Sequence, residues 1–266
     1  LLLAVGLLIA DVNTQIGLTK KEIQGVEYIQ PLRNLLQHMA QHRGLTNALK
    51  NGNAAVAPKV AEKKKLVEQD VATINDTNGR LDAVLGLSQQ WIQIRDKWNV
   101  LKTEVADIDA ASSFTRHSNL LGEIKQLMIQ ASEKSGLRLD AELDSSYLGH
   151  EVSAGLPDLL ETMGVLRGRG AGIISTGSAS DAQQITIQVL TGRVKKGVAD
   201  TVMSLNKTAE FNPALGSEIS EKLKAFESAA NDLIRQAEVI YNGDISGMDS
   251  GQFFATASAS IGAGYK

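Results

Sequence analysis

Two arginine–glycine pairs sit in apolar, helix-forming surroundings. Arg43–Gly44 lies in PLRNLLQHMAQHRGLTNALKNG, and Arg169–Gly170 lies in PDLLETMGVLRGRGAGIISTG. A guanidinium withdrawn from water is costly without a partner, and a glycine inside a helix costs about 1 kcal/mol relative to alanine. The two costs side by side suggest either an accident of the surface, with the arginines reaching solvent or pairing with a structural carboxylate, or a site. Arginine grips a planar carboxylate or nitrate through two parallel hydrogen bonds, and a glycine next to it frees the space where helices approach. The chemistry expected is the holding of a small anion by Arg43 and Arg169, with His42, Arg167, Tyr147 and Asn47 as the accompanying candidates.

Other constellations point to blander roles. His38 and His42 are four apart and share a helix face, a spacing that zinc can use. No Glu follows His38, so the metallohydrolase pattern is absent, and His117 and His150 join only if the fold brings them near. Solvated or hydrogen-bonded histidines are the simpler expectation. Asp140, Glu142 and Asp144 with Tyr147 form an acidic cluster, which capping of a helix by Asp140 or Asp144 explains more cheaply. Gly168, Gly170 and Gly172 do not follow a strand, which excludes a dinucleotide loop. There is no cysteine, no Glu-x-x-His and no nucleophile elbow. The residues therefore indicate a binding protein rather than an enzyme, with no cofactor and no metal.

The elements that must position these side chains are helical. Ala, Leu, Gln, Glu and Lys dominate long stretches, only four prolines interrupt 266 residues, and aromatic residues make up 4%. A net charge of −3 is unlike the basic stripe of a nucleic-acid binder; Lys63–Lys65 beside Glu62 and Glu68 read as a solvated helix face. The pattern predicts helices over about 11–50 (with a bend at Pro31), 54–85, 88–108 with Ser88 as N-cap, 112–134, 144–174, 181–208, 213–241, and from about 252. Leu66, Ile74 and Leu81 form one buried stripe; Leu223, Phe226, Ala230 and Leu233 form another. Trp91 and Trp98 share a face and belong in a core. LLLAVGLLIA, residues 1–10, is shorter than the roughly 20 residues of a membrane span. It reads as the outer end of a transmembrane helix.

The two arginine–glycine stretches also suggest a duplication. Pro31 stands twelve residues before Arg43, and Pro157 twelve before Arg169. Met39 and Ala40 then pair with Val165 and Leu166, Gly52 with Gly177, and Phe114 and Phe254 each open a final helix rich in small residues. A repeated unit of about 125 residues follows. It predicts an all-α protein of two stacked four-helix bundles sharing long helices, one over 11–138 and one over 139–266.

At these residues a resemblance appears. GLTKKEIQGVEYIQPLRNLLQHMAQHRGL, LDAELDSSYL and LPDLLETMGVLRGRG resemble the periplasmic helical sensor domains of bacterial methyl-accepting chemotaxis proteins. The nitrate- and nitrite-sensing and helical bimodular domains are the nearest types. The resemblance implies paired four-helix modules in a receptor of the bacterial inner membrane, anchored through flanking transmembrane helices, facing the periplasm and working as a homodimer. Arg43 matches the arginine of a Glu-Arg-Gly motif that holds the anion, with His42 in place of the glutamate. The role passes to Arg169 only through the internal repeat. Sensor domains of diguanylate cyclases or histidine kinases, or a helical rod that binds a partner protein, are the alternatives.

Overall fold

The computed structural model of the protein describes residues 2–138 and 142–266. Among them there is no strand; the chain is an all-α protein. It divides into two compact units, residues 1–141 and 142–266. Each long helix belongs to one unit. Among the described residues no helix is long and apolar enough to cross a membrane.

The first unit consists of α1 (Leu2–Lys50), α2 (Ala57–Leu85), α3 (Ser88–Glu104) and α4 (Ala110–Ser135). Helix α1 runs unbroken through Pro31, which is itself buried. From Gly25 onward it turns one stripe inward, through Tyr28, Leu32, Leu35 and Met39. Val67, Val71, Ile74 and Leu81 answer it from α2, so Val67 rather than Leu66 opens that stripe. Trp91 and Trp98 answer from α3, and Leu121, Ile124 and Met128 from α4. Both indoles bury the ring and give the N–H to a polar side chain, Asn75 Oδ1 at 2.8 Å and Glu68 Oε1 at 3.0 Å. Helices α1 and α4 touch closely: a Cβ on Gly25 would lie 2.4 Å from the Ser135 Cβ. The chain leaves α4 at Gly136, whose φ of +92° suits glycine.

The second unit repeats the plan. A long first helix is built from α5 (Leu143–His150) and α6 (Leu156–Thr176), joined through one π-helical turn over Glu151–Gly155. Then come α7 (Asp181–Phe211), α8 (Pro213–Tyr241) and α9 (Ser250–Gly264). The α8 stripe of Leu223, Phe226, Ala230 and Leu233 is buried as its spacing requires.

Several helix starts differ from the sequence reading. Ser88 is not the cap of α3: Leu87 takes that position, and the Ser88 hydroxyl accepts from Asn78 Nδ2 at 2.7 Å instead. Asp144 lies inside the first turn of α5 and accepts from Asn212 Nδ2 at 2.8 Å. Glu142 holds the N-cap position without a side-chain cap bond, and Asp140 lies outside the described residues. Helices α4 and α9 start earlier than expected, because Asp109 and Asp249 cap them by accepting from the Ser112 and Gln252 amides.

Candidate functional site

In the first unit the candidate residues meet on the seam between α1 and α4. Arg43, only 4% exposed, donates from Nη1 to Ser118 Oγ at 2.9 Å. Its guanidinium carbon stands 4.7 Å above the centre of the Phe114 ring. Ser118 in turn donates to the Phe114 carbonyl one turn back, at 2.8 Å, so the hydroxyl is held in place. A cation stacked on an aromatic face and bonded along one edge is fixed in orientation.

Beside it lies a buried pair of imidazoles. His117 Nδ1 is 2.7 Å from the Ser113 carbonyl, which can only accept, so that nitrogen carries the proton. His117 Nε2 is then an acceptor, and His42 Nδ1 donates to it at 2.9 Å. The His42 ring meets Trp98 edge to face, with centroids 5.5 Å apart. Burial first, then the neighbouring charges of His117 and Lys64, push His42 down to about 3. Burial also pushes His117 down, to about 4; Arg43 and Arg116 act in the same direction, against its bond to Ser113. Both rings are neutral at pH 7. His38 diverges from His42 and pairs with Asp70 on α2 at 2.6 Å. Among the described residues no group of three or more His, Asp or Glu is placed to hold a metal ion.

The second unit reproduces the arginine arrangement, but with a different arginine. Arg167 Nη1 donates to Ser258 Oγ at 3.0 Å, its guanidinium carbon lies 4.6 Å above the Phe254 ring, and Ser258 donates to the Phe254 carbonyl at 2.7 Å. The counterpart of Arg43 is therefore Arg167, not Arg169. The spacing is 124 residues between first helices and 140 between fourth helices, from Phe114 to Phe254 and Ser118 to Ser258. In that register Gly25, Glu27, Leu32, Leu35, Leu36, Met39, Arg43 and Gly44 match Gly149, Glu151, Leu156, Leu159, Leu160, Met163, Arg167 and Gly168. The prolines are not equivalent: Pro31 is inside α1, whereas Pro157 is in the first turn of α6.

The remaining candidates fall elsewhere. Arg169 is exposed, about 200° round the helix from Arg167. It lines an open groove of about 190 Å³ with Gly168, Gly172, Gln183 and Thr186. Gly170 leaves no room for a ligand, since the Phe253 ring fills the space: a Cβ there would lie 2.5 Å from Phe253 Cε1. Tyr147 is half-buried on α5. It lies twenty residues before Arg167, about 30 Å away along the helix. Asn47 is one turn beyond Arg43 and accepts from Asn51 in the turn that ends α1. A second groove, of about 420 Å³, lies between α3 and α4 and is lined by Lys97, Arg116, Asn119 and Glu123 among others.

Ser118 and Ser258 are site residues that spacing did not single out, and Phe114 and Phe254 entered the sequence reading only as the openings of two final helices. Their signal was in the sequence as a second repeat: Asp109, Phe114, Ser118 and Gly122 recur as Asp249, Phe254, Ser258 and Gly262. Comparison with known protein families, curated proteins and solved structures finds no match to the chain.

Proposed function

We propose that this chain is the ligand-sensing region of a bacterial transmembrane receptor of the chemoreceptor type, on the periplasmic side of the inner membrane. It takes a small carboxylate or nitrate-like anion at the seam carrying Arg43, and at its counterpart carrying Arg167. The observation that supports this reading is the twofold arginine–phenylalanine–serine arrangement. In each unit the guanidinium is already oriented by a ring and a hydroxyl. An anion arriving there would find a cation whose ordering cost has been met by folding. The ligand would favour one arrangement of first and fourth helices over another through differential affinity. The displacement passed to the membrane helices would be of the order of 1–2 Å. No catalytic role is assigned.

The test is thermal unfolding at constant ionic strength against nitrate, nitrite, acetate and a set of dicarboxylates. At least one anion should raise the melting temperature of the wild type, and the increment should vanish in Arg43→Ala or Arg167→Ala, whatever the baseline of the variant. If no anion gives an increment that either substitution removes, the binding role is wrong. One observation favours a second reading, a ligand-free helical rod acting through a partner protein: Arg43 is 4% exposed and its guanidinium already engages Ser118 and Phe114. On that reading the anion series gives no specific shift.

A further inference from the structure

The first helix of the second unit carries a buried carboxylate that the arginine arrangement does not use. Glu151 is 2% exposed. It lies in the π-helical turn between α5 and α6, where the Leu156 N–H donates to the Glu151 carbonyl five residues back. Its carboxylate rests on Gly155: a Cβ there would lie 2.6 Å from Oε2 and 2.9 Å from Oε1. The Thr201 hydroxyl on α7 donates to Oε2 at 3.0 Å. In the first unit the same stretch is plain α-helix. The residue count is nevertheless equal, seven steps from Gly25 to Leu32 and seven from Gly149 to Leu156. No insertion therefore produces the π turn.

The two units differ in which side chain the helix turns inward. In the first, Tyr28 is fully buried and donates to Asn78 on α2, while Glu27 pairs with Arg80 at the surface. Their counterparts in the repeat register are Val152 and Glu151. Here the roles are exchanged. Val152 is only half-buried, and Glu151 is inside, facing the second helix of its unit as Tyr28 does. A π turn takes up one residue without advancing the helix, and one residue is about 100° of rotation. Each arrangement meets one requirement and breaks another. With the π turn, a carboxylate takes a core place that an apolar side chain would fill. Without it, Val152 fills that place and Glu151 moves out. A regular helix then sets the Ser153 carbonyl against the Pro157 ring, which has no N–H to give it. Helix α1 runs unbroken through Pro31, so a proline in this stretch strains the α form without forbidding it.

We infer that the first helix of the second unit is a two-position joint. It exchanges between the π form, with Glu151 inside, and an α form, with Val152 inside, and α5 turns by about 100° on α6 between the two. Helix α6, which carries Arg167, keeps its packing through the buried Leu159, Leu160 and Met163 in both forms. The inference goes beyond the anion reading and does not depend on it.

The chain has no cysteine, so Val152→Cys reports the position of the joint by its rate of reaction with a maleimide. In the π form that thiol is half-exposed. In the α form it takes the enclosed place that Tyr28 takes in the first unit. Pro157→Ala gives the Ser153 carbonyl its N–H and removes the ring, which favours the α form, and alanine is the best helix former. Added to Val152→Cys, it should slow the reaction by about tenfold or more, with an unchanged circular dichroism spectrum. Adding Glu151→Leu as well puts an apolar side chain at the inward place of the π form and should restore the original rate. An unchanged rate with Pro157→Ala overturns the proposal. So does a slowing that Glu151→Leu leaves in place, because Pro157→Ala would then have tightened the helix without changing its register.

Discussion

Lowering the pH from 7.5 to 5.0 should weaken the first unit far more than the second, and the buried imidazole pair sets the size of the effect. In the unfolded chain each ring titrates near 6.5. In the folded unit His42 is held at about 3 and His117 at about 4. Folded values below the unfolded one mean that the stabilisation is fully present above pH 6.5 and is lost as the pH falls from 6.5 toward those folded values. At pH 5.0 the unfolded state has taken up both protons and the folded state neither. Each ring then costs about 2 kcal/mol, and the pair about 4 kcal/mol. That is a large share of the 5–15 kcal/mol typical of a domain. The positive groups around the pair, Arg43 on its own helix, Lys64 on α2 and Arg116 on α4, reinforce the direction. Glu68 on α2 is engaged by Trp98 and by Lys102.

The two tryptophans make the measurement selective, because both belong to the first unit. Urea unfolding followed by tryptophan fluorescence therefore reads that unit alone, and far-ultraviolet circular dichroism reads both. With a urea slope of about 2 kcal/mol per molar, the fluorescence midpoint should fall by about 2 M between pH 7.5 and 5.0. The control comes from the protein itself. In the repeat register His42 and His117 correspond to Leu166 and Ala257, both buried. The variant His42→Leu/His117→Ala should unfold with a midpoint nearly independent of pH in this window, while His38 and every carboxylate stay in place. An equal pH-induced fall in wild type and variant, or no fall in the wild type, would refute the reasoning.

Two further predictions test the repeated arginine arrangement and the packing behind it. Arg43→Lys keeps the charge but loses the stacked plane and the bond to Ser118, so it should lower the stability of the first unit by about 1–2 kcal/mol. Arg167→Lys, at a half-buried position, should cost less, as read by urea unfolding with circular dichroism. Gly170→Ala drives a methyl group into the Phe253 ring and toward Ile240 Cδ1 at 3.1 Å. It should cost about 1–3 kcal/mol in the second unit and leave the fluorescence transition untouched. Gly168→Ala, with nothing within 4 Å of the added carbon, should be neutral or slightly stabilising.

Helix content and the extent of most helices were legible in composition and spacing, because Gly86, Gly136 and Gly177 take left-handed backbone where the chain leaves α2, α4 and α6. What local pattern could not supply were choices decided by distant partners. Ser88 has the chemistry of a cap, but Asn78 claims its hydroxyl. Asp144 has it too, but Asn212 claims its carboxylate across 68 residues. The repeat was visible, yet reading it from the prolines shifted it by two positions and put Arg169 where Arg167 belongs. The leucine–leucine–methionine spacing that faces the core was the safer anchor, because buried side chains cannot change register without moving to another face. The His42–His117 pair was beyond reach of any repeat, since the second unit has Leu166 and Ala257 at those places.

The differences between the two units explain why the arginine arrangement reads as a unit rather than as a set of residues. Around it the seam changes by paired exchange. Two imidazoles in the first unit stand where a leucine and an alanine stand in the second. Buried Thr46 and Ser113 stand where Gly170 and Phe253 do, so volume lost on the first helix is regained on the fourth. Close-packed interiors permit such swaps when total volume is kept. The arginine, phenylalanine and serine admit no partial exchange of that kind. Without the ring the guanidinium loses its face, and without the serine it loses its edge. Without the arginine, two groups shaped to receive a cation are left on a seam that is half-buried at Phe114, Ser118 and Ser258 and exposed at Phe254. Three residues whose contributions depend on one another remain together in both units while their neighbours trade size and polarity. The anion titration is therefore directed at this arrangement and not at the surrounding core.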